Sequence, residues 1–290
     1  MQIYRILHIS FIFLILNISL NAQIDNNLLS EKEAELKVIF DSLFYRNEIR
    51  FLRNDEEKKA LNTELRELLS EVLEIDGSFE YPFNSLVNCG ILKSPDNRFR
   101  IYNWNLRFSD GSYKYYGYIQ YYNDKKNKIY SYELNDASDS ITDPENQMLT
   151  ENLWYGVLYY YILPYKDGKK TNYILLGWDG NDNFTNKKIV EHLSFTSAGE
   201  PRFGKAVFKY ENKTLKRYII EYSIRVSLAL VYDEKADAVV WDHLAPDNSS
   251  KIGDINYYGP DASYDGFKLK NGKWFYIPDI YVTNPKPSNK

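Results

Sequence analysis

Histidine and aspartate are the residue types through which this chain could perform acid–base chemistry, and histidine is scarce. Beyond the first 22 residues only His192 and His243 occur, and neither has a second histidine or a cysteine at metal-ligand spacing. That pattern excludes the usual four-ligand zinc site. Asp242 precedes His243, but successive residues of a strand point to opposite faces, so these two side chains are not expected to pair. His243 is therefore a candidate acid–base residue, whereas His192 is interpreted as an ordinary residue of a sheet.

Carboxylates support two further hypotheses. Four candidates for a carboxylate-based hydrolase, including a glycan-directed one, fall at predicted strand ends: Asp179, Asp242, Asp261 and Asp265. The segment D-G-N-D-N also spaces the oxygens of Asp179, Asn181 and Asn183 as in the opening of a calcium-binding loop. It departs from the EF-hand pattern, because Phe184 replaces the glycine and Val190 the closing glutamate. We therefore predict a structural loop and no bound cofactor.

Common catalytic motifs are absent, and aromatic residues are abundant. The sequence contains no G-x-S-x-G, P-loop, G-x-G-x-x-G or H-E-x-x-H motif. It contains 27 tyrosines and 5 tryptophans, and aromatic rings on an exposed sheet face can stack on sugars or peptides. The candidates for such binding are Trp104, Trp178 and Trp241. The alternative, which we expect for most of them, is that they fill the core.

Charge and the N-terminus indicate an exported protein. The net charge is −4 with both signs interspersed, which argues against a nucleic-acid partner. Residues 1–22 have the layout of a secretory signal peptide, with Arg5, an apolar run and a small residue at Ala22. The apolar run is shorter than the roughly 20 residues that a transmembrane helix needs, so no transmembrane span is predicted. Cys89 is the only cysteine, so internal disulfides are impossible, and its apolar neighbours predict a buried, inert thiol.

Two regions with different periodicity follow the signal peptide. Residues 23–78 have apolar positions three and four apart, which predicts a hairpin of two amphipathic helices. Ser30 and Glu33 form an S-x-x-E pattern that predicts a capping box at the start of the first helix. The second helix is expected to be capped by Asn54 or the residue after it.

Residues 79–290 show period two and predict a large antiparallel β-meander, curled or closed, so the fold class is α+β. Propeller-like blades are the alternative, because the W-D dipeptide occurs twice. Between residues 215 and 226 apolar and polar residues alternate, which places Arg217 on the predicted solvent face.

The Asn271-Gly272 dipeptide is the clearest turn signal in the chain. A two-residue type I′ loop at this point pairs Leu269 with Trp274 and Phe267 with Tyr276.

Five segments resemble, in their order, a family of exported bacterial proteins to which no activity is assigned. The segments are F-E-Y-P-F-N-S-L, F-R-I-Y-N-W-N, L-L-G-W-D-G-N-D, W-D-H-L-A-P and Y-G-P-D-A-S-Y-D-G-F, beginning at Phe79, Phe99, Leu175, Trp241 and Tyr258. The resemblance implies a shared exported fold and adds nothing about chemistry. We therefore expect a non-enzymatic binding or cell-envelope-associated protein in the periplasm, on the outer surface or outside the cell. Its partner would be a glycan or an envelope protein, and a hydrolase is the alternative function.

Overall fold

The computed structural model describes residues 25–44 and 53–282. The predicted signal peptide lies outside the described residues. The chain divides into two compact units, Met1–Cys89 and Gly90–Lys290. Helices in the first unit precede many antiparallel strands in the second, so the α+β class is confirmed. Within the described residues, no helix is both long enough and apolar enough to cross a membrane.

The first unit contains two helices that run antiparallel. They are α1 (residues 25–44) and α2 (Asp55–Leu73). The Arg53 Nε atom donates to the Ser42 carbonyl at 2.7 Å, so α2 begins near the end of α1. A Cβ atom on Gly77 would lie 3.8 Å from the Leu29 side chain, so the chain after α2 returns to the start of α1. Each helix buries one apolar face, as its periodicity predicts; the buried residues include Leu36, Phe40, Leu43, Leu65, Leu69 and Val72. Cys89 at the end of this unit is buried, as predicted.

The two predicted caps have different outcomes. Asn54 caps α2, because its side chain accepts from the Glu57 amide at 2.9 Å while the Glu57 side chain accepts from the Asn54 amide at 3.1 Å. The capping box predicted at Ser30 is wrong, because α1 already includes residue 25 and Ser30 lies inside it. Glu33 is buried and accepts a 2.8 Å hydrogen bond from the Tyr81 hydroxyl. This carboxylate therefore bonds the segment that follows α2 and does not cap α1.

The second unit holds fifteen strands within the described residues. They are β1 (Gly90–Lys93), β2 (Phe99–Arg107), β3 (Tyr113–Asn123), β4 (Lys128–Asn135), β5 (Leu158–Asp167), β6 (Lys170–Asp179), β7 (Thr185–Phe195), β8 (Pro201–Phe203), β9 (Phe208–Tyr210), β10 (Lys213–Leu215), β11 (Arg217–Ser223), β12 (Leu230–Asp233), β13 (Ala238–Pro246), β14 (Tyr258–Lys270) and β15 (Lys273–Ile277). Sheet 1 has the order β1-β2-β3-β4, and sheet 2 the order β11-β7-β6-β5 with β8 also paired to β7. Sheet 3 has the order β10-β9-β15-β14-β13-β12. Neighbouring strands are antiparallel except β9 and β15, which are parallel.

The three sheets stack in two core layers. Side chains of sheets 1 and 2 share one buried cluster, and side chains of sheets 2 and 3 share another. Along β6, Leu175 belongs to the first cluster while Ile174 and Leu176 belong to the second. Because successive strand residues face opposite ways, sheet 2 is buried on both sides. The curled or closed arrangement and the propeller alternative stay predictions.

The final hairpin has the predicted turn and register. Asn271–Gly272 has φ values of 52° and 73°, as a type I′ turn requires. Leu269 pairs with Trp274 and Phe267 with Tyr276. Phe267 and Trp274 are buried, whereas Leu269, beside the turn, is exposed. The hairpin therefore anchors itself in the core through its two central rings.

Arg217 is fully buried, which corrects its predicted place on a solvent face. It lies directly opposite Glu191 on β7, and its guanidinium group donates to that carboxylate. Arg217 also donates to the Pro144 carbonyl, and the Tyr159 hydroxyl donates to Glu191. Alternation identifies which residues share a face, but it does not reveal that the loop containing Pro144 covers that face.

Candidate functional site

A cleft of about 650 Å³ opens at one end of sheets 1 and 2. It is formed where strands end: at the start of β2, the end of β3, the two hairpin turns β3–β4 and β5–β6, and the end of β7. Loops at the end of a rigid sheet commonly carry binding residues. The lining includes Arg98, Tyr121, Lys125, Lys169, Lys170 and Asn172.

The two carboxylates of the cleft already have partners within the protein. Asp124 receives two bonds from the Arg98 guanidinium, at 2.9 and 3.1 Å, which lower the pKa of this carboxyl. Asp96 accepts a 2.7 Å hydrogen bond from the Tyr173 hydroxyl. Burial, together with this bond, raises the pKa of Tyr173, so the hydroxyl stays protonated as a donor. Neither carboxylate is therefore directed at the lysines of the cleft.

Three lysines give the cleft its positive charge. Lys125 extends from one wall, in the β3–β4 turn, and Lys169 and Lys170 extend from the other, at the β5–β6 turn. All three are exposed, and among the described residues none of them has a carboxylate within ion-pair distance. Lys205 also lines the cleft but is held by Asp167 at 2.8 Å. The cleft is thus positive although the whole chain is mildly acidic.

An aromatic wall stiffens the cleft. The rings of Tyr121 and Phe195 stack with centroids 4.3 Å apart, and the Arg98 guanidinium lies over the Tyr121 ring at 5.6 Å. Gly199, in the turn after β7, has a φ of 102°, and a Cβ atom there would lie 2.8 Å from the Tyr121 ring. Glycine is therefore needed both for the backbone conformation and for the close approach. Tyr121 is fixed from several sides, so the wall is preformed.

An amide with an unused donor lies on the face of β6 that packs against sheet 3, because Asn172 is two residues from Ile174. Asn172 lines the cleft although it is only 4% exposed. Its Oδ1 atom lies 3.3 Å from His192 Nε2, and its Nδ2 atom has no hydrogen-bond partner among the described residues. Because an amide oxygen only accepts, Nε2 of His192 carries the proton in this assignment, and Nδ1 is the deprotonated nitrogen. Burial lowers the pKa of His192 to about 3, so the ring is neutral.

A second cluster forms around His243, at an irregularity between β13 and β14. The register shifts between Asp242 and Leu244, and Ala262 in the facing strand has a φ of 71°. The Nδ1 atom of His243 lies 2.8 Å from Asp265 Oδ2. Asp265 is only 6% exposed, and its bond raises the pKa of His243. The structure thus brings together two of the candidates from the sequence, His243 and Asp265. Irregular strand pairing of this kind is common beside functional sites.

The other carboxylate candidates accept hydrogen bonds from other groups of the protein. Asp242 accepts from the Ala229 amide at 2.7 Å, and alternation along β13 turns it away from the face that His243 shares with Asp265. Asp261 accepts from the amide and the hydroxyl of Ser263, at 3.0 and 2.7 Å. Asp179 ends β6 in sheet 2, whereas the other three lie in sheet 3. The four carboxylates therefore do not form one catalytic set.

The oxygens of the calcium-loop candidate are engaged by donors of the protein. Asp179 is buried and accepts from the Asn181 amide at 2.8 Å, and burial raises the pKa of its carboxyl. The Asn181 side-chain oxygen accepts from Lys187 Nζ at 2.6 Å, and that of Asn183 accepts from an Arg107 guanidinium nitrogen at 3.0 Å. Two cations thus occupy positions beside the predicted ligands. In the described part of the chain, no group of three or more His, Cys, Asp or Glu side chains is arranged to hold a metal ion.

The tryptophan candidates lie away from the cleft. Trp104 and Trp241 are 1% and 3% exposed, so neither can stack on a ligand as it stands. Trp178 is half-buried and meets the Tyr113 ring edge-on at 5.6 Å. The cleft residues were missed at the sequence level. The sequence does show two lysine-bearing turns, N-D-K-K-N and K-D-G-K-K. They come close together only because two sheets stack, which the sequence does not reveal.

No model of a known protein family matches the chain, and no similar curated protein or solved structure was found. The resemblance to exported bacterial proteins therefore stays a prediction, and a function must be inferred from the two sites.

Proposed function

We propose that the chain is an exported, non-enzymatic binding protein whose cleft captures an anionic ligand. The observation that carries the proposal is that Lys125, Lys169 and Lys170 line one cleft from two turns without carboxylate partners among the described residues. A cleft lined by one sign of charge concentrates ligands of the opposite sign and orients them on approach. The chain as a whole carries a net charge of −4, so the positive charge of the cleft does not reflect a general excess of basic residues.

The walls suit ligand binding because they are held in place by other side chains. Arg98 fixes the carboxylate of Asp124 and packs over Tyr121, so it contributes to the shape of the cleft rather than to its unpaired charge. The three lysines extend from turns and can adjust to the ligand. A hydrogen bond to a charged group contributes about 1.5–3 kcal/mol, so two or three such contacts support measurable binding.

The proposal is tested by calorimetric titration with trigalacturonate and with maltotriose, a neutral sugar of the same length. We expect trigalacturonate to bind and maltotriose not to bind, and the affinity for trigalacturonate to fall with added salt. Lys125→Glu and Lys169→Glu should each weaken binding about tenfold or more, since loss of about 1.4 kcal/mol is a factor of ten.

Arg225→Glu is the matched control. It makes the same change in charge at another exposed position, just beyond the end of β11. The last residue of β11 pairs with the first residue of β7, so Arg225 lies near the start of β7. The cleft lies at the opposite end of β7, so this variant should bind as the wild type does. Equal losses in all three variants, or equal binding of both sugars, would contradict the proposal.

Export is part of the same proposal and is supported by the signal-peptide pattern of residues 1–22. Its partner would then be a glycan or another component of the cell envelope. N-terminal sequencing of protein recovered from the envelope or the medium should give a chain that begins near Gln23. A chain that begins at Met1 and remains in the cytosol would exclude export.

A hydrolase is the second candidate, and the His243–Asp265 pair favours it. An imidazole whose Nδ1 atom is held by a buried carboxylate has the orientation that a general base needs. The test is turnover of p-nitrophenyl esters and glycosides by the wild type and by His243→Asn. Turnover that the substitution abolishes would replace the binding proposal, whereas equal turnover in both proteins would remove the hydrolase.

A further inference from the structure

We propose that Asn172, held by His192, forms a hydrogen-bonding subsite that makes the cleft select acidic sugars over simple inorganic anions. The inference rests on the proposed function, because it specifies which anion the cleft takes. Its independent observation is a polar side chain that lines the cleft, is 4% exposed, and has an amide nitrogen without a hydrogen-bond partner among the described residues.

The spacing along β6 defines the ligand. Lys170 and Asn172 are two residues apart on one strand, so they share a face at a separation of about 6–7 Å. One group offers a positive charge and the other offers neutral N–H donors. A sugar acid matches this pair, because its ring carries a carboxylate and hydroxyl groups several ångströms apart. Inorganic sulfate has its charge and its acceptors on one small group, so it has no separate hydroxyl to bond the amide while its charge stays at the lysine.

His192 acts as a positioning residue for the amide. Its Nε2 proton is directed at Asn172 Oδ1, which leaves the two N–H groups of Nδ2 for another acceptor. Buried polar groups are nearly always hydrogen-bonded, and a buried donor without a partner costs free energy. A ligand hydroxyl that accepts from Nδ2 would remove this cost, so binding energy and selectivity come from the same contact. Nδ2 is buried in this structure, so binding requires a side chain at the cleft to rotate, a rearrangement common at binding surfaces.

The discriminating experiment compares digalacturonate with inorganic sulfate in wild type, Asn172→Leu and Lys169→Glu. Leucine has nearly the shape of asparagine and removes the amide. We expect Asn172→Leu to weaken digalacturonate binding about tenfold and to change sulfate binding less than twofold. Lys169→Glu should weaken the binding of both anions. A thermal melt of each variant confirms that the fold is kept.

His192→Phe is the second variant and tests the positioning role. It retains an aromatic ring and loses the bond to Asn172, so it should weaken digalacturonate binding severalfold and leave sulfate unchanged. If Asn172→Leu does not fold, His192→Phe alone tests the subsite. If digalacturonate binds no more tightly than sulfate, or if both amide-site variants change the two affinities equally, the subsite is excluded while anion binding stands. If neither anion binds the wild type, the proposed function fails together with the subsite.

Discussion

Protonation of His192 should make the protein sensitive to acid. This histidine is fully buried, and its Nε2 atom contacts the side-chain oxygen of Asn172. Burial lowers the pKa of His192 to about 3, and nearby Lys205 acts in the same direction. The folded protein therefore resists a proton that the unfolded chain accepts readily, since an exposed histidine has a pKa of about 6.5.

The sign and size of the effect follow from this difference. Between pH 6.5 and about 3 the unfolded state binds one proton more than the folded state. The contribution of neutral His192 to the unfolding free energy is thus complete above about pH 6.5 and falls by about 1.4 kcal/mol per pH unit below it. Acidification from about pH 7.5 to 5 should remove about 2 kcal/mol of unfolding free energy through this residue alone.

The assay is urea unfolding at several pH values between about 7.5 and 5, for wild type and His192→Phe. Phenylalanine keeps a ring against Tyr165, which meets the imidazole edge-on at 6.2 Å. Other titrating groups contribute to both proteins, so the difference between the two pH profiles isolates His192. The wild type should lose about 2 kcal/mol more than the variant. Coincident profiles would refute the burial argument.

His243 provides a control of opposite sign. Its bond to Asp265 raises the pKa of His243, and Asp261 and Asp279 act in the same direction. A raised folded-state pKa contributes stability that is complete below about pH 6.5 and is lost as the pH rises through the raised value. His243→Asn should therefore lose more stability on acidification than the wild type does, whereas His192→Phe should lose less.

Three further outcomes are expected from the structure. Arg217→Met leaves the fully buried Glu191 without its cation and should cost about 3–5 kcal/mol in urea unfolding; adding Glu191→Gln should recover much of the loss. Trp274→Ala should cost a similar 3–5 kcal/mol because the ring is buried, and Gly272→Val should also destabilise the protein because that residue has a φ of 73°. Calcium should neither release heat on titration nor change the melting temperature, since donors of the protein occupy the loop oxygens; a chelator-induced fall in melting temperature, reversed by calcium and abolished in Asp179→Ala, would contradict this.

The parts of the fold that the sequence predicted depend on local chemistry. The Asn271–Gly272 turn permits positive φ at both positions, and that alone fixes the register of the last hairpin. Period two over residues 79–290 predicted an antiparallel β region, and β1 to β15 all lie within it. These features need no knowledge of what packs above them.

The parts that the sequence did not predict depend on neighbours distant in the chain. Arg217 occupies a polar position of an alternating strand, but its face is closed by another segment and its charge is met by Glu191. Ser30 and Glu33 have the spacing of a cap, yet the helix continues before them and Glu33 bonds a residue 48 positions away. The cleft could not be predicted for the same reason, because it is formed by turns from two different sheets.

The cleft lysines have a cost in stability that favours a functional role for them. Lys169 and Lys170 are adjacent, Lys125 lines the same cleft from another turn, and the chain has 40 acidic residues from which partners could have been drawn. Like charges held together repel, and a surface arranged only for stability would intersperse the two signs. Residues that bind a ligand are often suboptimal for stability in this way. Lys169→Glu should accordingly leave the melting temperature unchanged or raise it while it weakens anion binding, and a variant that loses both together would show that the lysines serve the fold instead.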